Sequence, residues 1–407
     1  MIVGAGLAGC ATAWALAEQG WHCTLIDRHA LPSQEASGNP GGLFHGIFNS
    51  QDGAHACFNR AAALEAHRVV QHAIAEQRVA GRADGLLRLE PSHTDAVAMQ
   101  RQLMQSGLPT DYVQALAAAQ ASALCGIPLV HPAWFYPAGG WVDLGGLARS
   151  LLARAGVAAS YRGGIVVQAI ARSKEGWELR DAHGQVMAVA ETLVLANAFD
   201  ALRLLGSPNW PVERVRGQIS LWPADAASPL PSRPISGAGY LLPRVGSHAV
   251  FGATSQAGDD DASVRHSDHE HNLAQLARLT GHSVAHIRTQ DLQGRTAWRT
   301  VSSDRLPIIG AVPDVVGLGA PGSRRLDQPR FVPRVPGLFV FTALGSRGIT
   351  WAALGAQVLA SSITGAPQPL ESSLLDAIDP ARFISRVVRR SSQGQSGAGP
   401  RQAGRSP

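Results

Sequence analysis

The stretch "MIVGAGLAGCATAWALAEQGWHCTLIDR", residues 1–28, decides the fold. Gly4, Gly6 and Gly9 spell G-x-G-x-x-G directly after the apolar Met1, Ile2 and Val3. Cys10 to Gln19 is Ala-rich and favours a helix, and Gly20 stops it. Trp21 to Ile26 alternate and read as a second strand, ended by Asp27. Asp27 lies 18 residues after Gly9, near the spacing of about 20 expected for an acid that binds a ribose. In such a unit Gly4 makes the tight turn, Gly6 lets backbone approach a pyrophosphate, and Gly9 packs helix on strand. The helix start offers N–H groups and a positive dipole end to phosphate. Strand, glycines, helix, strand and acid in this order read as a dinucleotide-binding βαβ unit. A second G-x-G-x-x-G at Gly317, Gly319 and Gly322 has Pro321 inside it and no helical pattern after it, so it reads as a surface loop.

The 407 residues can hold two large cores. A hydrophobic content of 45% against 16% charged residues is that of a globular chain. The formal net charge is +5, and Lys174 is the only lysine. The cations are therefore almost all arginine, which favours bidentate contact with carboxylate and phosphate. A basic excess fits an acidic partner such as RNA; arginine-rich codon usage explains the same bias. Cys10, Cys23, Cys57 and Cys125 show no paired spacing. This argues against a zinc site or a disulfide framework and suits a reducing cytosol. Residues 1–17 carry no charge, but no basic segment precedes them, and their glycine spacing explains them better than a signal peptide does. No other stretch reads as a membrane span. "RHSDHEH" (265–271) sets His266, His269 and His271 near Asp259 to Asp261. Histidine spacings of three and two do not share one helical face, so a polar, solvated segment is expected, and no metal.

Residues 30–53 read as a loop and 55–80 as a helix, while 81–135 mix short strands with Ala-rich helix. A turn and a helix capped by Asp143 follow at 136–157. "IVVQAIAR", "WELRDAHGQ" and "ETLVLANA" read as strands. Residues 205–300 are strand-rich with one helix near 268–280. Residues 337–365 read as a buried strand, a glycine turn and a helix.

Four further segments occur in order: "ASGNPGG" (36–42), "YPAGGW" (136–141), "RTVSSDRLPIIG" (299–310) and "GLFVFTALGSRGITWAALGA" (337–356). With the first motif they make the chain, over about residues 1–385, resemble the D-amino-acid oxidase superfamily of flavoproteins. More closely, it is similar to the C-terminal oxidase domain of the bifunctional tRNA 5-methylaminomethyl-2-thiouridine biosynthesis family. The resemblance implies an α/β fold with an α+β substrate part. A Rossmann-like FAD-binding domain of D-amino-acid oxidase type would be discontinuous over 1–54, 136–204 and 300–385. An antiparallel-sheet substrate domain would take 55–135 and 205–299, and 386–407 would be a basic, disordered tail that is solvated or contacts tRNA. In that family a methyltransferase domain usually precedes the flavin domain. Here three residues stand before Gly4, against about 5–6 in an ordinary strand. The expectation is a stand-alone oxidase module, a trimmed chain or one whose start is placed too late, in each case without methyl transfer in these residues, and cytoplasmic, with tRNA and a separate or fused methyltransferase as partners.

The resemblance also implies roles. FAD would rest its pyrophosphate on Gly4, Ala5, Gly6 and Gly9, and its ribose would meet Asp27. Ser37, Gly38 and Asn39 would close over it, Val167 would back the adenine, and Ala196 and Asn197 would flank it. The turn from Gly345 through Arg347 to Gly348 would lead into a helix near Ile349. The N-terminus of that helix would stabilise charge on the reduced flavin by roughly 0.3–2 kcal/mol. The substrate would be wobble 5-carboxymethylaminomethyl-(2-thio)uridine, oxidised to aminomethyl uridine and glyoxylate, with oxygen as the default acceptor. Arg299, eleven residues before Gly310, would hold the carboxylate, with Arg347 as second choice. Tyr136 and Trp141 would line the pocket, stack a base or serve as core. His45 would be an ordinary pocket residue beside noncovalent FAD. A small-molecule amine oxidase and a non-catalytic module are the alternatives.

Overall fold

The computed structural model describes residues 1–91, 95–225, 228–316 and 325–396, with side chains through residue 390. The second G-x-G-x-x-G motif lies outside the described residues. Strand β1 (Ile2–Val3) leads through the glycine turn into helix α1 (Leu7–Glu18) and then strand β2 (Cys23–Ile26). β1 pairs in parallel with β2 on one side and with Leu193–Leu195 on the other. These strands sit inside a six-stranded sheet ordered Ile308–Pro313, Arg334–Thr342, Leu193–Leu195, β1, β2, Ala159–Arg162. Only the pairing of Ile308–Pro313 with Arg334–Thr342 is antiparallel within it.

Both faces of this sheet are covered, which is why its central strands are continuously apolar. α1 is buried from Leu7 to Leu16. It packs with the helices Leu144–Ala155 and Gly348–Thr364. The opposite face is covered by a meander of Ala169–Arg172, Trp177–Arg180 and Val186–Ala190, whose Trp177 and Leu179 join Leu193, Leu195 and Val340. "IVVQAIAR" is a strand only from Ala169; Ile165 instead donates its N–H to the Asp27 carbonyl at 2.9 Å, so this segment runs past the end of β2.

Helix α2 (Ala54–Gln77) buries Phe58, Ala62, Ala66, Val69, Val70 and Ala73 in the core shared with α1. These residues fall on one stripe at helical period, and the stripe meets Gly348–Thr364. The apolar face of this helix is thus spent against the dinucleotide unit, whereas the sequence reading set it in the substrate part.

Among the described residues the second sheet has nine strands. Val212–Pro223 pairs along its length with Gln293–Ser302, from Val212↔Ser302 to Leu221↔Gln293. His248–Gly252, Tyr240–Leu241, Ile235–Ser236, Leu86–Leu89, Ala133–Tyr136 and Gln114–Leu116 continue the sheet. Alternation along Val212–Pro223 gives it two different faces. Arg216, Gln218 and Ser220 are fully buried on one face, beneath the helix His266–Thr280. Arg216 binds Asp268 at 2.5 Å, and Ser220 Oγ lies 2.7 Å from His269 Nδ1. "RHSDHEH" is therefore helix from His266, with Asp268 and His269 buried, and not a solvated segment. Its polar residues satisfy the polar face of a strand more than 40 residues away in sequence.

The end of the chain also departs from expectation. Arg382–Ser396 is a helix. Arg382 is buried and donates to Asp304 at 2.8 and 3.0 Å, and Arg386 donates to the same carboxylate at 2.6 Å. These charges belong to a partly buried ion cluster. The proposed tail thus begins as a helix over 386–396, while 397–407 lie outside the described residues.

Candidate active site

A crevice of about 1020 Å³ runs between the two sheets. At one end stands the glycine cradle. Gly4 has φ +101°, and a Cβ there would lie 2.7 Å from the Ala196 carbonyl carbon. A Cβ on Gly9 would stand 1.8 Å from the Gly4 oxygen, and one on Gly6 would stand 3.0 Å from Ser37 Oγ. Gly4 and Gly6 line the crevice; Ala5 and Gly9 stand directly behind them. Asp27 Oδ2 accepts from the Ala5 N–H at 2.7 Å and Oδ1 from the His29 N–H at 2.8 Å. The carboxylate is thereby fixed at the crevice wall, with lone pairs left for a hydroxyl pair. No acidic residue stands in the first turn of α1, so its dipole end is free for an anion.

Ser37 Oγ accepts from the Leu7 N–H at 3.0 Å, which binds the 36–42 loop to the start of α1. The same loop is held from the other sheet by Arg295, whose role the sequence reading did not foresee. Arg295 Nε donates to Asn39 Oδ1 at 3.0 Å, and Nη2 donates to the carbonyls of Gln34 and Glu35 at 2.7 Å each. Ser37 and Asn39 line the crevice, whereas Gly38 faces the Ser33 carbonyl, 2.3 Å from where a Cβ would be. Val167, Ala196 and Asn197 also line the crevice, the last two directly beside Gly4. Arg203 donates to the Val167 carbonyl at 3.0 Å, and Asn197 Nδ2 donates to Asp200 at 3.1 Å. The cradle that a Cβ would fill, the fixed acid and the free helix end all fit an extended dinucleotide.

At the other end the crevice is lined by the turn Gly345–Gly348 and Ile349, where the helix Gly348–Thr364 begins with no acid in its first turn. Arg299 reaches in from Gln293–Ser302, on the face that also carries Gly217 and Ile219. Its Nη2 donates to the Thr254 carbonyl at 2.7 Å. Burial pushes its guanidinium pKa down, with Tyr240 acting in the opposite sense. Arg347 is pushed down to about 10, first by burial and then by the like charge of Arg88, and remains a cation at neutral pH. Among the described residues no carboxylate pairs with Arg299 or Arg347. The acids that line the crevice are Asp27, Glu35 and Asp200. Asp27 is held by backbone N–H groups, Glu35 by Arg28 and His29, and Asp200 by Arg203.

His45 lines the crevice and is pushed down to about 3 by burial, reinforced by Arg347. It is neutral, and its Nδ1–H faces the Gly46 carbonyl. Tyr136 is not part of the lining. It is buried, 5.1 Å from the His45 ring by centroids, and its hydroxyl accepts from the Phe48 N–H at 2.9 Å. It therefore supports the loop that carries His45 and does not line the crevice. Trp141 likewise packs among Ile219, Leu242 and Val250. Tyr240, unnoticed in the sequence, occupies the place at the wall beside Arg299, its hydroxyl pushed up to about 12 by burial. Among the described residues no three His, Cys, Asp or Glu side chains could together hold a metal, and no helix is long and apolar enough to cross a membrane.

Residues 1–362 match the FAD dependent oxidoreductase family. The chain belongs to that family. FAD is accordingly the dinucleotide that fits the crevice, and the chain is an FAD-dependent oxidoreductase of D-amino-acid oxidase type. It is 50% identical over 394 residues to the tRNA 5-methylaminomethyl-2-thiouridine biosynthesis bifunctional protein MnmC of Methylibium petroleiphilum, which covers 94% of this chain and 60% of that protein. The chain thus spans about 60% of the length of the curated relatives it matches. In structure it is similar to glycine oxidase from Geobacillus kaustophilus, with TM-score 0.71 at 21% identity, covering 93% of this chain and 96% of that one. Iminodiacetate oxidase from Chelativorans sp. gives TM-score 0.68 at 22% identity, covering 93% and 98%.

Proposed function

We propose that this chain oxidises the carboxymethylaminomethyl group of the wobble uridine in tRNA, leaving an aminomethyl uridine and releasing glyoxylate. The observation that carries the reading is the half-buried Arg299 guanidinium, which faces the crevice without a carboxylate of its own. A planar cation at the crevice wall with no carboxylate of its own is suited to receive one. Bound FAD would supply the hydride acceptor. Arg299 and Tyr240 would hold the carboxylate end, so that the glycine-like methylene meets the cofactor in a fixed orientation. The N–H groups at the start of Gly348–Thr364 would favour negative charge there. His45, being neutral, leaves the amine free to arrive unprotonated.

The fusion of related sequences to a further segment supports a methyltransferase as partner, fused or separate, and the tRNA substrate supports a cytoplasmic setting. In this reading Gly4, Ala5, Gly6, Gly9, Asp27, Ser37, Asn39, Val167, Ala196, Asn197, Gly345, Gly348 and Ile349 form the cofactor-binding set. Gly38 supports it from behind. The discontinuous two-domain division stands as part of the proposal, with α2 on the FAD side.

The test incubates the protein with tRNA bearing 5-carboxymethylaminomethyl uridine and analyses wobble nucleosides by mass spectrometry. Loss of the substrate nucleoside with gain of aminomethyl uridine and glyoxylate is expected. Good turnover of free glycine with untouched tRNA would overturn the proposal in favour of a small-molecule amine oxidase.

A further inference from the structure

Arg299 and Tyr240 account for one oxyanion, yet the same end of the crevice holds two more guanidiniums. Arg88 lies on Leu86–Leu89, whose Leu87 and Leu89 point into the core beneath the sheet. Alternation therefore turns Arg88 to the crevice face, where it is part of the lining. It stands near enough to Arg347 for the two like charges to oppose each other. Its own acid, Glu90, is at 3.3 Å, a loose pairing that leaves donors unused. Directly beside it in register is Ser236, in the parallel neighbour Ile235–Ser236. Ser236 is 7% exposed, lines the crevice, and its buried hydroxyl has no hydrogen-bond partner in the protein. A buried hydroxyl without a partner is costly, and two adjacent guanidiniums are mutually repulsive; one oxyanion between them relieves both.

We propose that Arg88, Ser236 and Arg347 form a second oxyanion subsite, which takes a backbone phosphate of the nucleotide whose base arm is being oxidised. This inference rests on the tRNA-oxidase reading. It gives the chain a means of preferring a nucleotide over a free amino acid, since a phosphate can engage Arg88 while the carboxylate engages Arg299. The same chemistry would accept the second carboxylate of a small diacid, so the test separates the two sources.

The kcat/KM values of the FAD-loaded protein are measured on 5-carboxymethylaminomethyluridine as nucleoside and as 3′,5′-bisphosphate, and on glycine and iminodiacetate. The wild-type protein is expected to prefer the bisphosphate over the nucleoside by roughly tenfold or more, the effect of one charge-assisted hydrogen bond. Arg88→Gln and Ser236→Ala should each reduce that ratio towards one, and Arg88→Lys should retain part of it. Flavin absorbance verifies that each variant is folded; if Arg88→Gln loses its flavin, Arg88→Lys and Ser236→Ala decide. A wild-type ratio near one, or a ratio that survives these changes, overturns the subsite while leaving the tRNA-oxidase reading intact. A preference for iminodiacetate over glycine that depends on Arg88, with no nucleotide preference, overturns the phosphate assignment. Oxidation of glycine with neither uridine compound touched overturns both proposals.

Discussion

The Gly345 N–H donates to the Thr300 carbonyl at 2.9 Å, which binds the turn bearing Arg347 to the residue that follows Arg299. Two guanidiniums from opposite sheets are thus held in one frame by a single backbone hydrogen bond. Gly345 takes φ +53°, a conformation that suits glycine, so that the N–H can point at this carbonyl.

Arg299→Ala removes the cation assigned to the substrate carboxylate. We expect kcat/KM on the carboxymethyl substrate to fall by about two orders of magnitude or more, from a loss of roughly 2–5 kcal/mol. FAD affinity, measured by absorbance titration, should move by less than about threefold. An equal loss of both would show that Arg299 is structural.

Gly9→Ala places a Cβ 1.8 Å from the Gly4 oxygen, so helix and turn must separate. We expect purification without flavin and a loss of several kcal/mol in stability. Gly20→Ala is the contrast: a Cβ there meets nothing within 4 Å, and only its φ of +78° is unfavourable, at about 1–2 kcal/mol. Flavin content and thermal melting distinguish them; a Gly9→Ala protein that retains FAD would refute the cradle.

Asp304→Asn leaves Arg382 buried without its carboxylate. Breaking such a pair costs about 3–5 kcal/mol. Burial pushes the Asp304 carboxyl up, but the Arg382 hydrogen bond and charge, with help from Ser302 and Arg386, outweigh it and hold the carboxyl below its ordinary range. The contribution is therefore complete above the unfolded value of about 3.9 and is lost as pH falls below it. Denaturation curves should show a constant gap between wild type and variant from about pH 5 to 8, narrowing in acid.

His45, pushed down to about 3, does not titrate where the enzyme works. The kcat profile of wild type and of His45→Gln should share the same shape between about pH 6 and 9, since an unperturbed histidine would titrate near 6.5. Stability behaves differently. The unfolded imidazole takes up a proton below about 6.5 and the buried one does not, so wild type loses stability relative to His45→Gln as pH falls from there. Equal acid sensitivity of the two proteins in urea denaturation would show that His45 is not desolvated.

The dinucleotide unit was legible because its determinants are local. The glycine spacing, the Ala-rich helix and Asp27 all act within 28 residues, and the clash distances around Gly4 and Gly9 are the physical content of that spacing. Arg299 was singled out by the family resemblance, and it lines the crevice; its role there stays a proposal. Tyr136 was left open between pocket and core because an aromatic after a loop looks the same whether it faces a pocket or supports it; the structure buries it behind His45. The residues that went unread meet across segments distant in sequence: Ser236 beside Arg88 on neighbouring strands, Arg216 against Asp268 of a helix, Arg295 against Asn39 of a loop. No pattern along the chain carries a pairing that the sheet creates. The basic C-terminal residues looked solvated because their partner, Asp304, stands 78 residues earlier than Arg382.

The three hydrogen bonds from Arg295 to the loop 34–39 have a temporal consequence. The two sides of that contact are separated by 256 residues between Asn39 and Arg295. A ribosome must therefore add some 256 residues after Asn39 before this loop can acquire its final hydrogen bonds. The βαβ unit is made well before the strand Gln293–Ser302, and its 34–39 loop gains these bonds only once that strand has docked. Cofactor capture is thus a late event in biogenesis, and nascent chains stalled before residue 295 should release the flavin that completed chains retain.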